Sequence, residues 1–198
     1  MNSSKVFSLS STLSSVAEIR MGFPFRSRLD DEPEGPVAVV QMKDIDTANV
    51  LHLDHSIRVA IPEGRDKHFL KPGDLLFRSR GRNNGVAMFR GAIAPAVLAA
   101  PMMLIRPTKI DPGYLHWFLN TPQVQAQLRS LARGTAVLMI DTDSLRTLLV
   151  PVPAEHRQRQ IAEAGDLARH EQELLAAIAE RRTRAMAERL MQCARTSG

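Results

Sequence analysis

The sequence predicts an α+β fold: a mixed domain of short strands and helices ending near Pro153, then one long coiled-coil-type α-helix. Three observations point there. Short apolar runs bounded by Gly, Pro and polar turns recur between Val37 and Ile105, as β-strands do. Two segments with helical spacing follow, Tyr114 to Leu119 and Val124 to Leu131, separated by Asn120-Thr121-Pro122. Pro151 and Pro153 then forbid a helix through the junction, because proline lacks an N–H and restricts the residue before it. From Glu155 the register is helical, and only Gly165 interrupts it before Gly198.

The chain has 198 residues, 44% of them hydrophobic, enough for one buried domain and an accessory element. No apolar run approaches the roughly 20 residues that cross a bilayer. The Ser-rich start, MNSSKVFSLSSTLSS, lacks the continuous apolar core of a signal peptide. A cytoplasmic protein with no membrane contact is the expectation. Cys193 is the only cysteine, which excludes an internal disulfide and every multi-cysteine zinc pattern. The net charge of +5 is concentrated: residues 61–110 carry nine basic and three acidic side chains. Such a block fits a phosphate-binding surface, with a merely solvated basic face as the alternative.

Taken in order, residues 1–12 read as a disordered amino terminus. Leu13, Val16 and Ile19 lie three apart, as in a short amphipathic helix or turn, and Gly22 with Pro24 stops it. Phe23 and Phe25 point to the core. A charged loop, RSRLDDEPEGP, leads to a strand at Val37 to Val40. Leu51 and Leu53, then Ile57, Val59 and Ile61, read as two short strands about a turn at Asp54-His55. Pro62 to Arg65 is a turn, and Lys71-Pro72-Gly73-Asp74 is another. Leu75 to Phe77 and Val86 to Phe89 form a hairpin whose tip, Arg78 to Gly85, is basic.

Ile93 to Ile105 is apolar and broken by Pro95 and Pro101, with a buried strand expected at Met102 to Ile105. Asp111-Pro112-Gly113 opens a helix, and Thr121-Pro122 caps a second. Tyr114, Trp117 and Phe118 read as core. Val137 to Ile140 reads as a buried strand reached through an exposed turn at Arg133-Gly134-Thr135.

The chemistry-bearing patterns of common enzymes are missing. The sequence contains no Walker loop, dinucleotide fingerprint or amino-methyltransferase signature. His52 and His55 fit a polar turn better than a metal site. Asp66-Lys67 lacks the acidic strand of a nuclease centre. Asp141 and Asp143 fit a cap or Asx turn. The expectation is a binding module with no catalytic activity, no metal and no cofactor.

Several segments together resemble the specificity subunit of type I restriction–modification systems. They are Gly22 with VAVVQMKDI (Val37 to Ile45), FLKPGDLLFRSRGRNNG (Phe69 to Gly85), YLHWFLNTPQVQ (Tyr114 to Gln125), and the Gly-Thr, apolar, Pro-x-Pro, Gln, Ile series from Gly134 to Ile161. Each is weak alone, but four in this order are fairly specific. The resemblance implies a target-recognition domain over residues 13–153 that reads double-stranded DNA in a phage-defence system. It implies that the helix over 154–198 is a spacer and a dock for methyltransferase subunits, with a restriction or translocase subunit as a further partner. The family's subunit has two such halves and this chain has one. It therefore pairs with itself, or is a truncated or repurposed relative.

On this reading the candidate DNA contacts are Arg78, Arg80 and Arg82, alternating along an extended segment, with Asn83 and Asn84 at base edges. Arginine bonds guanine and asparagine bonds adenine in bidentate fashion. Lys43, Arg133 and Thr135 are candidate phosphate contacts. The candidate dimer seam is Ile161, Ala164, Ala168, Leu175, Ile178 and Ala185, with Glu171 as a charge inside it. A helix of about 60 Å cannot bury such a seam on its own small domain. Two other classes compete: an interaction protein that docks methyltransferase or translocase subunits without reading DNA, and a small nuclease.

Overall fold

The computed structural model describes residues 10–25, 31–61, 66–81, 83–92, 94–134 and 138–196, the side chains of Asp66 and Thr196 excepted. Three stretches of the chain, Val37 to Val40, Leu75 to Phe77 and Met102 to Ile105, are apolar throughout rather than alternating. The reason is that both faces of each strand are covered. The four-stranded sheet runs in the order β2 (Ala17–Met21), β8 (Met103–Pro107), β5 (Leu75–Phe77), β6 (Val86–Met88), antiparallel throughout. Leu75, Phe77, Met103 and Ile105 face helices on one side, where they meet Leu115, Leu119, Leu128 and Leu145. Leu76, Ala87 and Leu104 face the other way, onto Ala38, Val40 and Leu98.

Those last residues belong to a second sheet, in the order β4 (Ile57–Val59), β3 (Val37–Val40), β7 (Ala96–Leu98), with β3 and β7 parallel. Its outer face, Val37, Val39, Val59 and Val97, is covered by Phe25, Ile57 and Phe69. The order of layers is helices, sheet, sheet and aromatic cover. Full burial of each large apolar side chain contributes about 1.5–3 kcal/mol.

The Pro-Gly-Asp element closes the start of β5. Gly73 takes φ +91°, where a side chain would be strained. Asp74 accepts from the Lys71 N–H at 2.7 Å and binds Arg106 of β8 in bidentate fashion, at 2.7 and 2.6 Å. This ion pair is nearly buried and holds the Arg106 guanidinium above its ordinary pKa through the Asp74 contact.

The helices are α1 (Leu13–Val16), α2 (Pro112–Asn120), α3 (Pro122–Leu131), α4 (Thr142–Arg146) and α5 (Glu155–Thr196). Asp111 caps α2 by accepting the Tyr114 N–H, and Asp141 caps α4 by accepting that of Ser144. Asp141 is thus the cap its sequence position suggested. Thr121 occupies the cap position of α3, but its hydroxyl donates back to the Phe118 carbonyl.

The junction to α5 is tied to the body by side-chain hydrogen bonds. Gln158, 5% exposed, accepts from the Asp111 N–H at 2.8 Å and donates to the Pro153 carbonyl at 2.7 Å. The Tyr114 hydroxyl donates to the Pro151 carbonyl at 2.9 Å. Two glycines let α2 and α5 approach closely. A Cβ on Gly113 would lie 2.9 Å from that of Ala162, and one on Gly165 would lie 2.5 Å from the Trp117 ring.

Several expectations need correction. Ser10–Thr12 is not disordered but forms β1, paired antiparallel with β9 (Leu149–Pro151). Ile19 lies in β2, so the helical spacing from Leu13 covers one turn only. Leu51 makes a single bridge to Ile45 rather than a strand. The strand β7 sits inside a stretch that gave no such signal. Of the run ending at Ile140, Leu138 and Met139 are 43% and 36% exposed, so it is no buried strand. Trp117, 38% exposed, is not core either. The turn at Pro62 to Arg65 lies outside the described residues.

Candidate nucleic-acid interface

The basic hairpin tip begins where β5 ends at Phe77. Leu76, Arg78 and Arg80 follow one another on the same side of an extended chain, but they meet different surroundings. Leu76 is core. Arg78 is covered by the turn at Ile45-Asp46 and is 8% exposed. Its Nη2 donates to the Ile45 carbonyl and, at 2.6 Å, to that of Asp46. Burial lowers the pKa of this guanidinium, and the neighbouring Asp46 opposes the change. Arg78 therefore clamps a turn and does not meet a phosphate, which corrects the sequence reading. Arg80 extends past the edge of the turn and is exposed; its Nε lies 3.5 Å from the Met139 sulfur.

Ser79 between them is fully buried and donates to the Pro101 carbonyl at 2.5 Å. Its own carbonyl accepts from Ile140, and the Gly81 N–H donates to Leu138. Met139 is thereby bridged to Arg80 on one side and Arg133 on the other. Arg133 and Met139 exchange both backbone hydrogen bonds, each at 2.8 Å. The result is a shelf with two exposed arginines, Arg80 and Arg133, flanking Met139.

Asn83 is exposed, and its Oδ1 accepts from the Gly85 N–H at 2.9 Å. Asn84 is a second correction. It is 1% exposed and donates from Nδ2 to the Arg78 carbonyl at 2.9 Å, so it is out of reach of a base. Arg82 and Thr135 lie outside the described residues. Lys43 is exposed on the one-turn 3-10 helix Met42–Asp44.

These pieces enclose a shallow concavity of about 390 Å³, with Arg78 on its floor and Met42, Asp46, Thr47, Arg80, Gly81 and Asn83 around it. Burial raises the pKa of the Asp46 carboxyl. Bonds from His52 and the N–H groups of Val50 and Ala48 more than offset this, and the net shift is below the ordinary carboxylate value. Asp46 is thus a saturated turn residue. The groups of its lining left to face a ligand are Arg80, Asn83 and Thr47, while Arg133 and Lys43 are exposed outside it.

The hairpin base is held by residues of α2 and α3 that sequence reading did not assign to the site. Asn120 accepts from the Val86 N–H at 3.0 Å and donates to the Val86 carbonyl at 2.9 Å. The His116 Nε2 lies 3.0 Å from the same carbonyl. Gln125 donates to the carbonyls of Asn84 and Leu119 at 3.1 and 2.8 Å. The available signal was the polar Asn-Thr-Pro-x-x-Gln series inside an otherwise apolar helix pair.

Along α5, Ile161 is half-buried against the helical core of its own domain, which removes it from the expected seam. Ala168 is exposed and lines a cleft of about 590 Å³ between α2 and α5. Ala164 and Ala185 are exposed, and Leu175 and Ile178 are 59% and 52% exposed. Among the described residues no group of three or more His, Cys, Asp or Glu side chains could hold a metal ion. Likewise, no helix among them is long and apolar enough to cross a membrane.

The chain matches no protein-family model and no curated protein sequence. Its fold is shared with solved structures. The HsdS subunit from Thermoanaerobacter tengcongensis superposes with a TM-score of 0.60 at 20% identity, over 82% of this chain and 37% of that one. The S subunit of the type I restriction–modification system from M. genitalium gives 0.58 at 18% identity, over 86% and 41%. A chain from a structure of the type I R-M system, solved to explain complex assembly and conformational transition, gives 0.65 at 21%, over 91% and 43%. This chain therefore spans about two-fifths of each neighbour's length.

Proposed function

We propose that this chain is the DNA-recognition subunit of a type I restriction–modification system, without catalytic activity of its own. It acts in the cytoplasm as a homodimer that places methyltransferase subunits, and a restriction or translocase subunit where present, on a bipartite target. The observation that carries the reading is the shelf formed by Arg80, Met139 and Arg133 beside the turn at Met42 to Thr47. It brings Arg80 and Asn83 of the hairpin tip onto one concave face with Thr47 of that turn, and sets exposed Arg133 next to Arg80 across Met139. Arg82 and Thr135, which flank that shelf in sequence, are part of the proposed contact surface. Phosphate contacts from Arg80, Arg133 and Lys43 would set the register on the duplex, and Asn83 would meet base edges.

The dimer is supported by the exposed apolar face of α5, where Leu167, Leu174 and Ile178 have no cover. Two identical domains related by a two-fold axis read an inverted repeat. The test is selection of bound duplexes from a random-sequence library by the purified chain. The expected product is a pair of identical inverted half-sites at a fixed spacing. Recovery of no shared sequence would overturn DNA reading, and recovery of two different half-sites would overturn the homodimer.

A further inference from the structure

The face of α5 turned away from the domain carries a repeating pattern with a defect in it. Gln158, Ile161, Ala162, Gly165 and Arg169 lie toward the body. On the opposite side a heptad of first and fourth positions runs Ala164, Leu167, Glu171, Leu174, Ile178, Arg181, Ala185, Glu188, all exposed. Leu167, Leu174 and Ile178 are between 52% and 71% exposed. Glu171 and Arg181 in its middle, and Glu188 at its end, fall in this stripe where apolar residues are expected. Most other acidic side chains of the helix are ion-paired within the chain: Glu155 with Arg159, Asp166 and Glu173 with Arg169, Glu180 with Arg184. Glu171 and Arg181 have no ion-pair partner among the described residues.

We infer that α5 pairs antiparallel with a second copy in one register, centred at Ala176 and fixed by two symmetry-related Glu171–Arg181 ion pairs. This deepens, and rests on, the homodimer proposed above. In an antiparallel pair each first position meets a fourth position of the partner helix. Setting Glu171 against Arg181 sets Leu174 against Ile178, Leu167 against Ala185 and Ala164 against Glu188 at the same time. A shift of one heptad in one direction places Glu171 against Leu174 and Arg181 against Ala164. The opposite shift places Glu171 against Glu188 and Ile178 against Arg181. A parallel pair in register sets Glu171 against Glu171 and Arg181 against Arg181. The chosen register leaves only Glu188, at the end of the stripe, without a charge partner, whereas each of these alternatives leaves the central Glu171 and Arg181 unpaired or beside a like charge in a desolvated seam, which costs several kcal/mol. The two charges thus act as a register device, as polar residues in coiled-coil seams do.

One consequence is metric. Gly165, where Trp117 of the body packs, lies eleven residues from the centre. The two attachment points are then about 33 Å apart along the helical pair, at about 1.5 Å per residue.

The test uses three forms of the full chain: wild type, Glu171→Arg and Arg181→Glu. Both substitutions lie on the exposed face of the helix, so the domain should melt as the wild type does. Each variant alone places two pairs of like charges in the seam, and its dimer dissociation constant should rise roughly 100-fold by sedimentation. Mixed together, the two variants restore opposite charges at both contacts and should form a heterodimer of near wild-type affinity. The double variant should dimerise with itself. A wild-type dimer whose single variants dimerise unchanged, or whose mixture fails to recover, overturns the register and leaves the homodimer standing. A monomeric wild type overturns the homodimer itself, and the register with it.

Discussion

Arg78 and Arg80 stand two residues apart, and the structure assigns them opposite fates under substitution. Arg80 is exposed and bound only weakly, to a thioether sulfur. Arg80→Ala should therefore change stability by no more than about 0.5 kcal/mol. Its effect should appear in DNA binding. Removing one phosphate-binding cation lowers the log–log salt slope on B-DNA by about 0.9. Between 50 and 200 mM salt one such cation is then worth about a 3.5-fold change in affinity, and Arg80 together with Arg133 about 12-fold. Fluorescence anisotropy of a labelled duplex across that salt range reads the slope directly. The Arg80→Ala/Arg133→Ala form should lose about 1.8 from it.

Arg78→Ala should behave in the opposite way. It removes two charge-assisted bonds to the Ile45 and Asp46 carbonyls, at about 1.5–3 kcal/mol each. A loss near 3 kcal/mol in urea denaturation is expected, with any remaining DNA binding keeping its salt slope. An unchanged slope in the double variant, or a slope loss in Arg78→Ala at full stability, would refute the assignment of these arginines.

Gly22 meets the backbone of the crossing chain. A Cβ there would lie 2.6 Å from the Ala99 carbonyl carbon and 2.8 Å from the Ala100 nitrogen, so Gly22→Ala should destabilise by about 1–3 kcal/mol in urea. His116 gives a pH signature. Burial depresses its pKa, the Val86 carbonyl partly offsetting, and because a carbonyl only accepts, Nε2 carries the proton of a neutral ring. The unfolded chain takes up a proton below about pH 6.5, and the folded chain takes it up only at lower pH. Stability should be level above that pH and fall by up to about 1.4 kcal/mol per unit below it. The depressed carboxyls of Asp46 and Asp166 act only at lower pH, below their ordinary value of 3.8. Urea midpoints at pH 7.5, 6.5 and 5.5 should therefore slope for the wild type and lie flat for His116→Gln; equal slopes would refute the assignment.

What was legible in the sequence was mostly burial. Val37 to Val40, the β5–β6 hairpin, the helix pair and the long helix follow from apolar runs and breakers, and all are present. The strands that escaped had no such signal. Ser10–Thr12 is polar and is ordered only by pairing with β9, and Ala96–Leu98 is hidden among prolines and small residues. At the site, periodicity placed Arg78, Arg80 and Arg82 together, whereas the turn at Ile45-Asp46, 33 and 32 residues before Arg78, covers the first and not the second. Ile161 was assigned to the seam for the same reason: spacing identifies an apolar stripe but not which of two partners covers it.

The hairpin tip is a part mounted on a frame. The side chains that secure its base, Asn84, His116, Asn120 and Gln125, bond to backbone atoms of Arg78, Asn84 and Val86. A backbone carbonyl or N–H offers the same bond whatever side chain its residue bears. The base of the tip is therefore held by α2 and α3 and by two buried residues of the tip itself, Asn84 and Arg78, the latter through the carbonyls of Ile45 and Asp46. The exposed positions between these anchors, Arg80, Asn83 and, across the concavity, Thr47, carry no such duty beyond the local turn at Asn83. Their side chains can be exchanged without releasing any of the bonds that hold the frame. Such a division suits a reader of DNA sequence, because base contacts must differ between targets while phosphate register stays fixed. On the proposed function, a new target needs only new residues at the tip, and the half-buried amides of the helix pair keep them at the same place on the duplex.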